Sequence, residues 1–172
     1  MKKLLLTFFA VIALSFASNA QGWGPDKGTT QISAGLGTGV YGIPVFADVQ
    51  FGVSEYITLG PRVAFSSRTT YYGNDRYRES YFSLSMVANY HYSKHISALP
   101  SELDLYGGLE LGYVAYRDNW NDDLYTPEDR STVMLGIRAG AKWFFTPNFG
   151  AMLELGGGAG RSGALVGVTF GL

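Results

Sequence analysis

Apolar residues occupy every second position through Val133, Leu135, Ile137, Ala139, Ala141, Trp143 and Phe145, with Gly136, Arg138, Gly140 and Lys142 between them. A two-residue repeat sends alternate side chains to opposite faces of a β-strand and does not fit the 3.6-residue stripe of a helix. The same alternation returns in Ile32–Leu36, Ala47–Val53, Ile57–Phe65, Phe82–Tyr92, Leu103–Tyr113, Phe149–Leu155 and Val166–Leu172. That makes eight candidate strands, an even number, with no linker or low-complexity tract between them. The intervening positions are mostly Gly, Ser, Thr and single charges, such as Gln31, Ser33, Gly35 and Asp48.

The connections alternate in length. Ser54-Glu55 and Thr146-Pro147-Asn148 read as tight turns. Residues 67–78 (SRTTYYGNDRYR) and 117–130 (RDNWNDDLYTPEDR) read as long polar loops at the opposite end. Ser93–Ser101 is longer than the other connections on the tight-turn end.

The start of the chain has the layout of a secretory signal peptide. Met1-Lys2-Lys3 is basic, Leu4–Ala17 is apolar, and Ser18-Asn19-Ala20 places small residues at −3 and −1. The apolar run is shorter than the ~20 residues of a spanning helix. Cleavage after Ala20 is expected, leaving a short segment 21–28 and one domain, 29–172. The net charge of −1 carries no basic stripe, so nothing supports nucleic-acid binding. With no cysteine, neither a disulfide nor a thiolate metal site can form.

Alternation alone fits either a soluble sheet or a membrane barrel. A soluble sheet shows water a face rich in long charged side chains. Here the polar face is small, with isolated charges, and suits a cramped interior. In a transmembrane barrel the apolar members face lipid and the polar members face the lumen, with strands of ~9–11 residues, short turns at one end and longer loops at the other. Tyr90, Tyr92, Trp143, Phe145 and Phe149 gather near the short turns, where an aromatic girdle belongs. The expected fold is therefore all-β: an eight-stranded antiparallel up-and-down (meander) transmembrane barrel.

From about Thr29 to Leu172 the chain resembles the small bacterial outer-membrane β-barrel family, of the eight-stranded OmpX-like or OmpA-transmembrane-domain type. The resemblance rests on the strand pattern, the signal peptide, the loop asymmetry and the closing strand Gly163–Leu172 (GALVGVTFGL). It implies residence in the outer membrane of a Gram-negative cell with both termini periplasmic. It also implies contact with outer-membrane lipid and lipopolysaccharide, and recognition of the C-terminal strand by the barrel-assembly machinery. Members commonly end on an aromatic residue; here Phe170 stands two places before the terminal Leu172.

Eight strands enclose only enough space for side chains, so charges in the lumen need partners there. Counting from the turns puts Asp48 opposite Arg62, Glu154 directly or diagonally across from Arg138, Glu110 beside Arg138 on its other side, and Asp104 near Lys142. A network of Asp48, Arg62, Asp104, Glu110, Arg138, Lys142 and Glu154 is expected, with arginine forks bridging carboxylates. The structural reading is pairs that fill and stiffen the barrel; the functional alternative is an ion path or a catalytic carboxylate cluster.

Other constellations are weaker. His91 and Ser93 share the inward parity and faintly resemble the catalytic pair of outer-membrane lipid A deacylases. The count puts them at the periplasmic end, and the favoured reading is an interfacial histidine and a turn serine. Asp118, Asp122, Asp123, Glu128 and Asp129 make one loop acidic without the spacing of a calcium loop. Gly35–Gly39 lacks the lysine and helix of a phosphate loop. Tyr71, Tyr72, Tyr77, Trp120 and Tyr125 are loop aromatics suited to recognition or to packing on the rim. No metal site and no cofactor is expected.

The sequence thus predicts a monomeric, non-enzymatic barrel with a filled lumen and a structural or surface-recognition role through loops 67–78 and 117–130, facing some extracellular ligand. The alternatives are a lipid A-modifying enzyme and a channel for small apolar molecules.

Overall fold

The computed structural model describes residues 25–39, 42–72, 75–118, 130–158 and 163–172; at 72, 75–77, 118 and 130 only the backbone is described. Eight strands follow in order: β1 (Thr30–Gly37), β2 (Val45–Gly52), β3 (Ile57–Tyr72), β4 (Asp75–His91), β5 (Leu103–Asp118), β6 (Arg130–Thr146), β7 (Phe149–Gly158) and β8 (Gly163–Gly171). Each pairs antiparallel with the next, and β8 returns to β1, closing the sheet. Closure removes the open edges that a two-sided sheet would leave. Among the described residues no helix is long and apolar enough to cross a membrane; in this fold strands do so.

Polarity is inverted relative to a soluble protein. Ile137 is 68% exposed, and Leu109, Leu111, Leu135, Leu155 and Phe82 share the outer surface with it. Arg62 is 1% and Arg138 6% exposed, inside the barrel. The parity read from the sequence holds along every strand. A belt of this kind is stable against acyl chains and unstable in water, and hydrocarbon accepts closed barrels because every backbone group is paired. The fold is that of a transmembrane β-barrel.

Turn chemistry fixes the register at the short-turn end. Ser54 Oγ accepts from the Tyr56 and Ile57 amides at 3.3 and 3.1 Å, and the Val53 amide donates to the Ile57 carbonyl at 3.0 Å. That turn sets Asp48 opposite Arg62. The β2–β3 ladder skips the Val49–Pro61 and Gln50–Gly60 positions, because Pro61 has no amide to give. Ser93–His95 form a single 3-10 turn in the long connection at the short-turn end.

Strand lengths depart from the uniform span expected. β1, β2 and β8 have 8, 8 and 9 residues, whereas β3 to β6 have 16 or 17. The segment expected to be a loop, 67–78, is a strand over Ser67–Tyr72 and again from Asp75, and Arg117, Asp118 and Arg130 also lie in strands. Thr and Tyr favour the extended backbone, so a polar, aromatic stretch continues the ladder instead of ending it. β2 stops at the Val45–Phe65 pair and β7 at the Gly136–Gly158 pair, beyond which β3 to β6 continue as a four-stranded extension on one side of the barrel. Seven further residues of β3 correspond to about 23 Å of strand.

The expected signal peptide 1–20 and residues 21–24 of the segment 21–28 lie outside the described residues, as do Trp120 and Tyr125. Within the described part of the N-terminal segment, the Gly28 amide donates to the Gly52 carbonyl, and Asp26 pairs with Lys94.

Candidate functional site: the lumenal charge cluster

Inward parity brings side chains from seven strands into the lumen. Arg62 on β3 is the hub. Its Nε and Nη2 donate to Asp48 Oδ2 at 2.9 and 2.6 Å, while Nη1 and Nη2 donate to Glu154 Oε1 and Oε2 at 2.6 and 3.1 Å. One planar fork thus holds carboxylates from β2 and β7, closing the barrel from inside across strands that are not adjacent. Phe46 lies against the same guanidinium, 5.0 Å from ring centroid to Cζ.

Arg138 on β6 is the second node. Its Nε donates to Asn89 Oδ1 at 3.1 Å, Nη1 to Glu110 Oε2 at 3.3 Å, and Nη2 lies 3.3 Å from Glu154 Oε2. Glu154 is therefore shared between the two arginines. In the register Glu154 faces Gly140 and Arg138 faces Gly156, the diagonal arrangement that lets the longer side chain reach. Glu110 also accepts from Ser85 Oγ at 2.6 Å, and Glu154 from the Tyr106 hydroxyl at 2.9 Å.

Lys142 and Asp104 are register partners, as counted, but their side chains take other partners. Lys142 Nζ donates to Gln31 Oε1 at 2.6 Å and sits 5.3 Å from the Tyr106 ring centroid. Asp104 is held by the His91 Nδ1, 2.8 Å from Oδ2, and by Ser93 Oγ, which donates at 3.1 Å. His91 is 0% exposed, so it lies in the lumen and not at the interface where the sequence reading put it. The short-turn end is closed deeply enough by Thr58, Tyr106 and Asp104 to enclose the ring.

The His91 Nε2 lies 3.0 Å from Thr58 Oγ1, which completes a hydroxyl–imidazole–carboxylate chain. Its order is that of a nucleophilic triad. Thr58, His91 and Asp104 are all fully buried, and no substrate carbonyl can come within bonding distance of Thr58 Oγ1. Ser93 bonds Asp104 and the Leu105 backbone, not the imidazole. The chain satisfies buried polar atoms. Among the described residues no group of three His, Asp or Glu side chains is placed to hold a metal ion.

Two apolar clusters share the lumen. Phe46, Ala64, Met152 and Leu165 form one; Tyr81, Val114 and Met134, with Tyr116 packed on them, form the other at the foot of the four-stranded extension. A cleft with about 20 Å³ of free space lies against Glu110, Arg138 and Glu154, which is room for one water molecule. The lumen is filled by side chains.

Tyr106, Asn89, Ser85 and Gln31 belong to the cluster although the charge-based expectation left them out. Their inward parity was readable: Tyr106 falls between Asp104 and Gly108 in the two-residue series. Gly140 makes the space for its ring, since a Cβ there would lie 2.4 Å from Tyr106 Cζ. Of the loop aromatics, Tyr71 is 68% exposed on the outer face of β3. Tyr72 and Tyr77 lie at strand positions with only the backbone described.

No protein-family model matches the chain, and no curated protein matches it. Solved structures do. The N-terminal β-barrel domain of Pseudomonas aeruginosa OprF aligns with a TM-score of 0.62 and 21% identity, covering 88% of this chain and all of that one. The outer membrane protein OprG from Pseudomonas aeruginosa gives a TM-score of 0.64 at 8% identity, covering 87% and 98%. Ail, the attachment invasion locus protein of Yersinia pestis, gives 0.58 at 16% identity, covering 85% and 99%. At these identities the likeness is one of backbone. With the inverted polarity and the meander, it establishes that this chain has the fold of the small eight-stranded outer-membrane β-barrels.

Proposed function

We propose that the chain is a non-enzymatic integral protein of the outer membrane of a Gram-negative cell, exported by the signal peptide 1–20 and monomeric. Both termini lie in the periplasm, the apolar belt meets outer-membrane lipid and lipopolysaccharide, and the C-terminal strand serves the assembly machinery. The lumenal cluster of Asp48, Arg62, Asp104, Glu110, Arg138, Lys142 and Glu154 is a structural plug that cross-braces the wall. The working surface is the extension of β3 to β6 with loops 67–78 and 117–130, including Tyr71, Tyr72, Tyr77, Trp120 and Tyr125, which engage an extracellular ligand.

The observation that carries this reading is the pairing of a filled lumen with a one-sided extension. The extension spends up to seven residues per strand beyond the level where its neighbours stop. A barrel that only anchors itself does not need it, and its exposed Tyr71 is the residue type enriched at recognition surfaces. The test is a variant in which 67–78 and 117–130 are replaced by tight turns. It should still fold, shifting mobility on heating in gels, but lose adhesion or surface-binding phenotypes that wild type confers on cells. Unchanged phenotypes in that variant would refute the assignment of the working surface, and a conducting wild-type barrel in planar bilayers would refute the plug.

A further inference from the structure

The apolar belt is not of even height around the wall. Register pairs followed once around from Leu103 on β5, through Val168 on β8 and Val63 on β3, return to β5 at Tyr113, ten residues further along (103 to 113). With eight strands that stagger tilts each strand about 40° from the barrel axis, so a residue advances about 2.5 Å along the axis and a step to the next strand about 3 Å. Heights of the outward side chains follow, measured from Leu103 towards the end where β3 to β6 are extended.

At the short-turn end the belt is level: Val53, Tyr92, Leu103, Phe145 and Phe149 lie within about 4 Å of one height. At the other end it is not. Phe82, Tyr113 and Val133, on β4 to β6, end the belt about 25–28 Å above Leu103, close to the thickness of a hydrocarbon core. Leu155, Val166 and Leu36, the last large apolar side chains on the outer face of β7, β8 and β1, stand only about 14–18 Å above it. The belt therefore dips by about 10 Å over three of the eight strands, on the side away from the middle of the extension. Beyond the dip the outward positions are Gly157, Ala164 and Thr38. The cleft against Glu110, Arg138 and Glu154 lies at the height of the dip, and Gly157, Gly163 and Thr38 border it. Tipping the barrel to level its upper rim would pull the level lower rim out of the opposite interface. Acyl chains drawn at full height over the dip would cover charged groups in an open cleft, and charge at membrane depth is costly unless polar groups reach it. Thinning the bilayer has a modest cost per ångström of mismatch.

We propose that the barrel thins the extracellular leaflet along β7, β8 and β1, and that lipid headgroups descend there onto the glycine-bordered cleft, about 10 Å below the level they hold along β4 to β6. The partner of this surface is the polar headgroup layer of the leaflet itself. The inference rests on the membrane reading and the orientation proposed above, with the extension outside, and it gives the lipid contact a geometry: one wall matched to a full bilayer, the opposite wall to a thinned one.

The test sets single nitroxide labels at matched heights on the processed full chain, folded into dioleoyl phosphatidylcholine vesicles, with heat-shifted gel mobility as the check of folding. Depth is read from the ratio of oxygen to nickel collision. Leu111→Cys and Gly157→Cys both lie about 20 Å above Leu103, and nothing stands within 4 Å of a Cβ at 157. The label at 111 should read as buried in hydrocarbon and the label at 157 as lying in the headgroup layer, a difference in depth of about 10 Å. In dilauroyl phosphatidylcholine, whose shorter chains leave little to thin, the two should agree within about 3 Å. Leu105→Cys and Ile32→Cys, on opposite walls near the short-turn end, should agree within about 3 Å in either lipid. Equal depths at 111 and 157 in the dioleoyl bilayer, or a difference that persists in the dilauroyl one, would overturn the thinning. A larger offset between 105 and 32 would mean a tipped barrel and overturn it too. A label at 157 shielded from both reagents, with dimers on cross-linking, would mean that a second copy covers the dip and would overturn the headgroup layer as its partner. Failure of wild type to fold in the bilayer would overturn the membrane reading itself, and the thinning with it.

Discussion

Replacing Arg62 by Met removes the hub of the lumenal cluster while keeping most of its volume. The consequences for its two carboxylates differ. Glu154 keeps the Tyr106 hydroxyl at 2.9 Å and Arg138 at 3.3 Å, whereas the hydrogen bonds of Asp48 described here both come from Arg62. Asp48 is 4% exposed and lies too deep for water to take over. Removing one partner of a buried ion pair typically costs about 3–5 kcal/mol, because the remaining charge is left without compensation. The cost of Arg62→Met should fall in that range and be carried mainly by Asp48. Adding Asp48→Asn, which removes the stranded charge, should then restore half of the loss or more. Equilibrium urea unfolding in lipid vesicles, followed by tryptophan fluorescence, measures all three variants. Arg62→Met within about 1 kcal/mol of wild type, or a double variant whose losses simply add, would refute the argument that the cluster is a coupled plug.

Two further outcomes follow from the same packing. Ile137→Arg should destabilise the vesicle-embedded barrel by about 2–4 kcal/mol in the same assay, the cost of a cation on the lipid face near the midplane; a soluble protein tolerates such a change at an exposed site within about 0.5 kcal/mol. Gly140→Val should displace the Tyr106 ring and break its bond to Glu154, costing about 1–3 kcal/mol, while Gly157→Val, at an outward position with open space around it, should be close to neutral.

Most of the fold was legible because one face of each strand had to be apolar, and a register slip of a single residue would reverse every side chain. The Ser54-Glu55 turn anchored one such count, and the structure places Asp48 opposite Arg62 as that count required. Strand length was not legible. Where β3 and β4 leave the hydrocarbon, apolar alternation ceases, but the ladder runs on through Thr69, Thr70 and Tyr71, which favour extended backbone without needing a buried face. Side-chain choice within the lumen was legible only to the level of register. Asp104 and Lys142 are paired strand positions, yet their head groups turn to His91 and Gln31 along the barrel axis, a direction that strand counting does not encode. Inward apolar residues such as Phe46, Met134 and Met152 broke the polar pattern of their face and were invisible to a rule based on alternation.

Because the chain has no cysteine, single Cys substitutions can be spin-labelled without background along β6 at Leu135, Gly136, Ile137, Arg138 and Ala139. Power-saturation measurements on the barrel in vesicles report collision with oxygen dissolved in lipid and with a water-soluble nickel reagent. High oxygen accessibility is expected at Leu135, Ile137 and Ala139, with low accessibility to both reagents at Gly136 and Arg138. Nickel access at Arg138, together with shielding of Ile137 from oxygen, would contradict the assignment of inside and outside from which everything else is derived.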